Sequence, residues 1–549
     1  MKTFIFISLF LSFLAPLPVV KDREAGQDDH YDVVVYGGTS AGIIAAVQTA
    51  KMGRTVMLIV PDGHLGGLTT GGLGQTDIGN KQVIGGLARE FYERIARKYD
   101  RPGAWKWQRK EDYRSRGQSL TREGETTMWT FEPSVASQVY DDLIRENRIP
   151  VVMNERLALG KKCVLKKNGA IRSILMESGR RFSGKMFIDA SYEGDLMACS
   201  GVTYFIGREG EEVYHENLNG VRTQQAVYHQ FPDGIDPYVK EDDPESGLLP
   251  GIHTTPGEEG SGDRKVQAYC FRMCLTDVPE NRIPFEKPAG YNEQDYELLF
   301  RLIEKGYNGP FCTFSAMPNR KTDSNNNGPF STDYIGHNYA YPDGDYETRE
   351  AIIRAHETYQ KGLMWTLANH PRVPDSIREA FSRWGLPKDE FMDNGHWPGQ
   401  LYVREARRMI GERVMTQHHC TQDSSVSRSV GMGAYTMDSH NIQRYVNGKG
   451  WVKNEGDVQV GGFGPYPISY GAIIPKKEEC TNLLVPVCLS ASHIAYGSIR
   501  MEPVFMILGQ SAATAACLAI DNNTTVQELA YNALKEQLLK DKQILQNKR

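Results

Sequence analysis

The sequence lacks several patterns that mark common classes of protein. Its nine cysteines include no C-x-x-C pair, which argues against a disulfide reductase. It has no long run of basic residues and its net charge is −5, so neither nucleic acid nor an anionic membrane surface is an expected partner. It also shows no internal repeat, and 40% of its 549 residues are hydrophobic, which predicts a globular chain of two domains.

Motifs for metal binding are incomplete as well. The segment DSNNNG begins at Asp323 like a calcium-binding loop, but the twelfth position of that pattern, which needs a glutamate, is Tyr334. His418 and His419 are adjacent in sequence, and adjacent side chains point in different directions on a regular element. We therefore expect no metal site.

The N-terminal segment is apolar but too short to cross a membrane. Lys2 precedes an apolar stretch from Phe4 to Leu14, which Pro16 and Pro18 interrupt before charged residues begin. A membrane span needs about 20 apolar residues, so an uncleaved anchor is the weaker alternative. The pattern predicts a signal peptide over residues 1–20, export to the periplasm or the medium, and no stable membrane span.

A glycine-rich turn follows the first predicted strand. The segment VVVYGGTSAG places a strand at 31–36 before a helix at 41–52, and a second strand is predicted at 55–60. Such a unit holds a pyrophosphate on backbone amides at the helix N-terminus, although the usual G-x-G-x-x-G has Thr39 at its middle position. No acid ends the second strand, where Val60 stands, so Asp62 is the substitute candidate for the ribose. The cofactor-binding candidates here are Gly37, Gly38, Thr39, Ser40, Ala41 and Gly42.

The region after this unit favours FAD over a nicotinamide cofactor. A second glycine-rich loop covers residues 63–74, and a helix is predicted at 132–147. Four strand-like pieces then begin at residues 150–159, with turns at 168–169 and 178–179, and we interpret them as a β-meander ending in a buried strand at 186–190. A domain for NAD would continue with alternating strands and helices instead.

Several motifs resemble a known family. The turn at 37–42, the HLGG segment at 64–67, the FIDASYEGD strand at 187–195 and SIRMEPVFMILGQSAATAA at 498–516 are similar to the secreted FAD-dependent oxidoreductases of the glutathione-reductase-like superfamily. The resemblance implies a two-domain flavoprotein that binds FAD. Its motifs add the cofactor-binding candidates Gly66, Gly67, Thr69, Asp189, Ala190, Gly509 and Gln510.

The expected fold is α/β, with a Rossmann-like FAD-binding domain that contains a β-meander and is split in sequence, plus a loop-rich α+β substrate domain. The predicted boundaries are residues 1–20 for the signal peptide, 28–206 and 424–535 for the two parts of the FAD-binding domain, 207–423 for the substrate or cap domain, and 536–549 for a C-terminal tail.

The segment before the last long helix supplies the catalytic candidates. Pro503 suits the first turn of a helix whose N-terminus would stabilise negative charge on a reduced flavin. The preceding loop would then cover the ring, so we predict His493 as the base and Arg500 and Tyr496 as its neighbours. His440, beside Asp438, is the second candidate for the base. An ordinary hydrogen-bonding role remains open for each of them.

These features predict an exported FAD-dependent oxidoreductase that moves a hydride between flavin and a small polar substrate. A sugar or sugar derivative is the substrate class that we favour, and the electron acceptor is unknown. Two alternatives stay open: a lyase or hydrolase that uses flavin transiently on glycans, and a carbohydrate-binding protein with a vestigial flavin cleft.

Overall fold

The computed structural model of the chain describes residues 29–160 and 162–547. The predicted signal peptide and the last two residues of the predicted tail lie outside this range.

The first part of the chain forms the predicted strand–turn–helix–strand unit. It consists of β1 (Asp29–Tyr36), α1 (Ser40–Lys51) and β2 (Val56–Ile59), and the two strands pair in parallel. α1 is buried from Ser40 to Thr49 because apolar and small residues surround the helix instead of forming one face. The α/β fold class is confirmed in this unit.

One predicted strand belongs elsewhere in the sheet. After α2 (Gly86–Tyr99) and α3 (Pro133–Glu146), the chain forms β3 (Val151–Val152), which pairs with β2 in parallel. The prediction that residues 150–159 begin the β-meander is wrong. The long connection through α3 brings the chain back to the same end of the sheet, so β3 runs parallel to β2.

The meander itself is confirmed. β4 (Val164–Lys167), β5 (Ala170–Leu175) and β6 (Arg181–Asp189) pair with one another in antiparallel order. β6 then lies parallel to β1, with Met186 opposite Val33. The carboxyl ends of β1 and β6 therefore meet at the same edge of the sheet.

Short elements joined by loops occupy most of the next 220 residues. They are α4 (Asp195–Cys199), β7 (Tyr204–Phe205), α5 (Glu211–Tyr214), β8 (Tyr238–Lys240), β9 (Asp243–Leu248), β10 (Ile252–His253), β11 (Met273–Thr276), β12 (Arg282–Ile283), α6 (Glu297–Glu304), β13 (Ser315–Met317), β14 (Lys321–Ser324), α7 (Tyr346–Asn369), α8 (Asp375–Ser382), β15 (Leu386–Pro387), β16 (Arg408–Met409) and α9 (Gln417–Cys420). Except for α7, these elements are short, as the loop-rich composition indicates.

The C-terminal part returns to the main sheet. Its elements are β17 (Ser429–Gly433), β18 (Met437–Ser439), β19 (Gln443–Val446), β20 (Val452–Glu455), β21 (Val458–Val460), β22 (Tyr466–Ser469), β23 (Leu483–Leu484), α10 (His493–Ile499), α11 (Glu502–Asp521) and α12 (Tyr531–Lys540). β23 pairs with β6, which gives the sheet order β3-β2-β1-β6-β5-β4 with β23 beside the second half of β6. β19 pairs with β10 of the predicted substrate domain, and the exact domain boundaries stay predictions.

The long helix α11 is the centre of the C-terminal part. Among the described residues it is the one helix long and apolar enough to cross a membrane, and here it is enclosed by the fold, with Glu502–Cys517 buried throughout. It packs closely on α1, because a Cβ at Gly509 would lie 2.3 Å from the carbonyl oxygen of Ala41. In the segment predicted as a tail, Leu538 and Leu545 are buried as well.

Candidate cofactor and active site

The glycine turn between β1 and α1 is built for close packing. Gly37 has φ of +112°, in the left-handed region that favours glycine. A Cβ at Gly42 would lie only 1.9 Å from the carbonyl oxygen of Gly37. The turn therefore brings the N-terminus of α1 to the carboxyl edge of the parallel strands, where such folds bind nucleotides.

Thr39 explains how the turn departs from the usual glycine pattern. Its hydroxyl donates to the carbonyl oxygen of Ala190 at 2.7 Å and accepts a hydrogen bond from the Gly42 amide at 3.3 Å. Thr39 is thus the N-cap of α1, and its side chain bonds to the end of β6. The missing middle glycine is accommodated because this side chain is turned into the protein.

We predict that Thr39→Ala destabilises the protein while it keeps bound FAD. Loss of a threonine N-cap costs about 0.5–2 kcal/mol, and the variant also loses the bond to Ala190. Thr39→Ser retains the hydroxyl, so its free energy of unfolding should stay within a few tenths of a kcal/mol of the wild-type value. Urea unfolding followed by fluorescence measures the free energy of unfolding of both variants. Loss of flavin from Thr39→Ala without loss of stability would contradict this role.

The second glycine-rich loop lies against the turn, as the site prediction requires. The Gly66 amide donates to the Gly38 carbonyl oxygen at 2.7 Å, and Gly66 and Gly67 have φ of 102° and 55°. The Leu68 amide donates to Tyr192 Oη at 2.9 Å, so the loop also contacts the segment after β6. The structure therefore brings Gly38, Gly66 and Gly67 together.

A buried carboxylate completes this region, and the sequence prediction missed it. Glu502 Oε2 accepts hydrogen bonds from Ser40 Oγ at 2.5 Å and Thr69 Oγ1 at 2.8 Å, and Oε1 accepts one from Tyr192 Oη at 2.6 Å. We call these four residues the Glu502 cluster. It joins the start of α1, the second glycine loop, the end of β6 and the start of α11. The sequence feature that could have identified Glu502 is an acidic residue in the first turn of the predicted last long helix.

Two predicted cofactor residues use their polar groups within the protein. Asp189 accepts from Ser191 Oγ at 2.7 Å and from the Met197 amide at 2.8 Å, so it caps the turn that leads into α4. Gln510 Oε1 accepts from the Leu87 amide at 2.8 Å and from Gln543 at 2.9 Å. Both side chains shape the domain beside the turn.

A cavity of about 850 Å³ opens at the carboxyl ends of β2 and β3. Asp62, His64, Met153 and Arg156 line it from the FAD-binding domain, and residues 389–394 close it from the other side. Asp62 accepts a hydrogen bond from the His64 amide at 2.9 Å and lies three residues after the end of β2 in sequence. The turn with its helix N-terminus would hold a pyrophosphate, and the adjacent cavity has room for a further part of a dinucleotide.

His440 lies in a buried group of polar side chains. Its Nδ1 is 2.9 Å from Asp333 Oδ2, and its Nε2 is 3.6 Å from Asp438 Oδ2. Burial and Arg404 oppose a proton on His440, but Asp438 and Asp333 outweigh them, so the pKa of His440 is raised above its ordinary value.

Arg500 belongs to the same group. Its guanidinium donates to Tyr402 Oη at 2.6 Å, to Gln267 Oε1 at 3.2 Å and to the Asp438 carbonyl oxygen at 3.0 Å. The Nε of Arg500 and the Nε2 of Gln267 are buried donors without a hydrogen-bond partner among the described residues. Two such donors suit an oxygen acceptor on a bound molecule. We call His440, Asp333, Asp438, Arg500 and Gln267 the His440 cluster.

His493 and Tyr496 are placed differently. His493 Nδ1 is 2.9 Å from both carboxylate oxygens of Glu405, and its Nε2 is 3.0 Å from Ser439 Oγ. Both ring nitrogens are therefore occupied by protein groups. Tyr496 Oη donates to the Val487 carbonyl oxygen at 3.1 Å. Of the two histidines, His440 has the geometry better suited to a base, the reverse of the order that we predicted from sequence.

A family model described as FAD dependent oxidoreductase matches residues 32–538. The chain belongs to this family. It is accordingly an FAD-dependent oxidoreductase, which confirms the cofactor and the enzyme class predicted from sequence. A search of curated proteins finds no match.

Solved structures of flavoenzymes resemble part of the chain. They include L-amino acid deaminase from Proteus vulgaris (14% identity, 35% of this chain and 55% of that chain, TM-score 0.24). L-proline dehydrogenase from P. horikoshii matches at 16% identity over 34% of this chain and 59% of its own, with a TM-score of 0.24. A flavin-containing monooxygenase from Stenotrophomonas maltophilia matches at 15% identity over 34% and 43%, with a TM-score of 0.19. The chain thus spans 43–59% of the length of these structures.

Proposed function

We propose that this enzyme is exported and oxidises a small polar substrate at the His440 cluster, with a sugar or sugar derivative as the favoured class. One observation carries the proposal: a histidine paired with two carboxylates lies beside unpartnered donors, and Arg500 among them directly precedes α11. Glu502, which contacts the cofactor-binding turn, follows Arg500 by two residues. The segment at the start of α11 therefore connects the His440 cluster to the cofactor region.

The arrangement supports removal of a proton from a substrate hydroxyl. Asp333 holds Nδ1 of His440, which leaves Nε2 as the nitrogen that accepts the proton, and Asp438 stabilises the resulting positive charge. The free donors of Arg500 and Gln267 hold the substrate oxygen. Bound FAD supplies the hydride acceptor for this chemistry.

The surroundings of the His440 cluster favour a substrate with several polar groups. Asp457 lies near His440, and its carboxylate is 3.8 Å from Nε2 of His229, whose side chain is 20% exposed. Burial raises the pKa of Asp457 to about 7, so this carboxyl group can donate or accept a hydrogen bond near neutral pH. Tyr228, which precedes His229 in sequence, is 48% exposed.

An anaerobic substrate panel tests this function. The purified enzyme is mixed without oxygen with sugars, sugar acids, simple alcohols and amino acids, and loss of the oxidised flavin absorbance is followed. We expect a polyhydroxylated compound to reduce the flavin. Reduction by amino acids only would contradict the proposed substrate class. Reduction by none of them, in protein that a chemical reductant still bleaches, would also contradict it.

Export gives a separate prediction. If about the first 20 residues are a signal peptide that ends at or after Pro18, the mature protein should begin within residues 19–26. N-terminal sequencing of protein recovered from outside the cytoplasm measures this directly. An intact Met1 on active protein in the cytosol would contradict export and leave the assignment of FAD unaffected.

A further inference from the structure

Glu502 is a buried carboxylate without a cationic partner. It is 3% exposed, and the groups that contact it are the hydroxyls of Ser40, Thr69 and Tyr192. Within the part of the chain that the structure describes, no lysine, arginine or histidine forms an ion pair with it. A buried negative charge is costly unless it is paired. Burial therefore favours the neutral form of this carboxyl group, while the three hydrogen bonds favour the ionised form.

The position of Glu502 creates a conflict with the cofactor. Ser40 is the first residue of α1, so the carboxylate lies at the positive end of that helix. The same helix N-terminus is what the glycine turn presents to the pyrophosphate of FAD. A negatively charged Glu502 and a negatively charged pyrophosphate would then compete for one helix N-terminus in a region shielded from water.

We propose that binding of FAD is coupled to uptake of one proton by Glu502. The proposal rests on FAD binding at the turn of residues 37–42. In the cofactor-free protein, the three hydroxyl donors and the helix N-terminus stabilise the ionised carboxylate. When FAD binds, the neutral form is favoured because it removes the repulsion and can donate a hydrogen bond.

The tyrosines around Glu502 do not offer the same response. Tyr192, Tyr140 of α3 and Tyr92 of α2 face Glu502, and burial raises the pKa of all three above the ordinary tyrosine value. They stay neutral at physiological pH. Asp77 lies near Tyr92, and His64 contacts Thr70 and Gly67 of the second loop.

Glu502 itself is suited to the role. Burial raises the pKa of Glu502, and the hydrogen bonds from Ser40, Tyr192 and Thr69 oppose that rise. At a pH above this value the cofactor-free protein carries the charge, so binding must take up a proton and affinity falls as the pH rises. At a lower pH the group is already neutral, and the affinity is independent of pH.

The test measures the Kd of FAD for cofactor-free protein between about pH 5.5 and 8.5 by quenching of flavin fluorescence. In wild type, the Kd should rise toward tenfold per pH unit at the upper end of this range, the limit for one linked proton. Glu502→Gln should abolish that slope. Glu216→Gln is the matched control, because Glu216 is also buried, is bonded to Ser492 at 2.7 Å and has a pKa raised by burial. It should keep the wild-type slope.

A proton count on wild type covers the case in which Glu502→Gln does not fold. In weakly buffered solution at about pH 8, an indicator dye should report uptake approaching one proton per FAD bound. A pH-independent Kd in wild type, an unchanged slope in Glu502→Gln, or no proton uptake would each overturn the proposal. Failure of wild type to bind FAD at any pH would instead contradict the cofactor assignment.

Discussion

Gly42→Leu is expected to yield protein without bound FAD. A Cβ at this position would lie 1.9 Å from the Gly37 carbonyl oxygen and 3.3 Å from Ala190 Cβ, so the side chain forces α1 away from the turn. The helix N-terminus then loses its place at the edge of the sheet, and the pyrophosphate loses its amide donors. Absorbance of the purified variant, before and after incubation with FAD, measures the loss.

Gly448→Leu is the matched control for this variant. No heavy atom lies within 4 Å of a Cβ built at Gly448, so the same side chain should be tolerated there with full flavin content. Circular dichroism of Gly42→Leu should show that the remainder of the fold persists. Full flavin content in Gly42→Leu would show that the cofactor binds elsewhere on the protein.

His440→Ala should keep bound FAD and slow its reduction by substrate by about 10²–10⁴-fold, the usual contribution of a general base. The reason is that His440 lies between two carboxylates, with Asp333 at Nδ1 and Asp438 3.6 Å from Nε2, whereas both ring nitrogens of His493 form closer contacts with protein groups. Anaerobic stopped-flow absorbance gives the rate. Flavin content measured on the same sample separates lost chemistry from lost cofactor.

His493→Ala provides the comparison. Because His493 is the closest side-chain partner of the buried Glu405 carboxylate, its removal should lower the free energy of unfolding by leaving Arg408, at 3.8 Å, as the remaining ion-pair partner, while the rate of flavin reduction changes less. A large loss of rate in His493→Ala, with His440→Ala close to wild type, would restore the order that the sequence alone predicts.

The cofactor half of the site was predictable because its signals are local. A strand of apolar residues, a glycine turn and a helix of small residues follow one another within 23 residues, so β1 and α1 could be placed from sequence. The role of Thr39 was not predictable, because its partner at Ala190 is 151 residues away. The strand β3 was assigned to the wrong neighbour because a two-residue strand carries no period that tells parallel from antiparallel pairing.

The proposed catalytic half depends on contacts between distant segments. Asp333 lies 107 residues from His440 in sequence, and Gln267 lies 233 residues from Arg500. No local pattern marks Gln267 or Tyr402 as members of a site, since a single polar residue in a loop region is common. Arg500 could still be proposed from sequence, because it lies two residues before α11 and the helix fixes the position of that segment.

The most direct test of the proposed site is the pH dependence of flavin reduction in wild type and His440→Ala, at saturating FAD. The proton acceptor is neutral His440, and its carboxylate neighbours raise its pKa, so the wild-type rate should increase with pH and level off above that raised pKa. His440→Ala should be slow at every pH and should lack this rise. The same rise in His440→Ala, or its loss in His493→Ala alone, would contradict the assignment of His440 as the base.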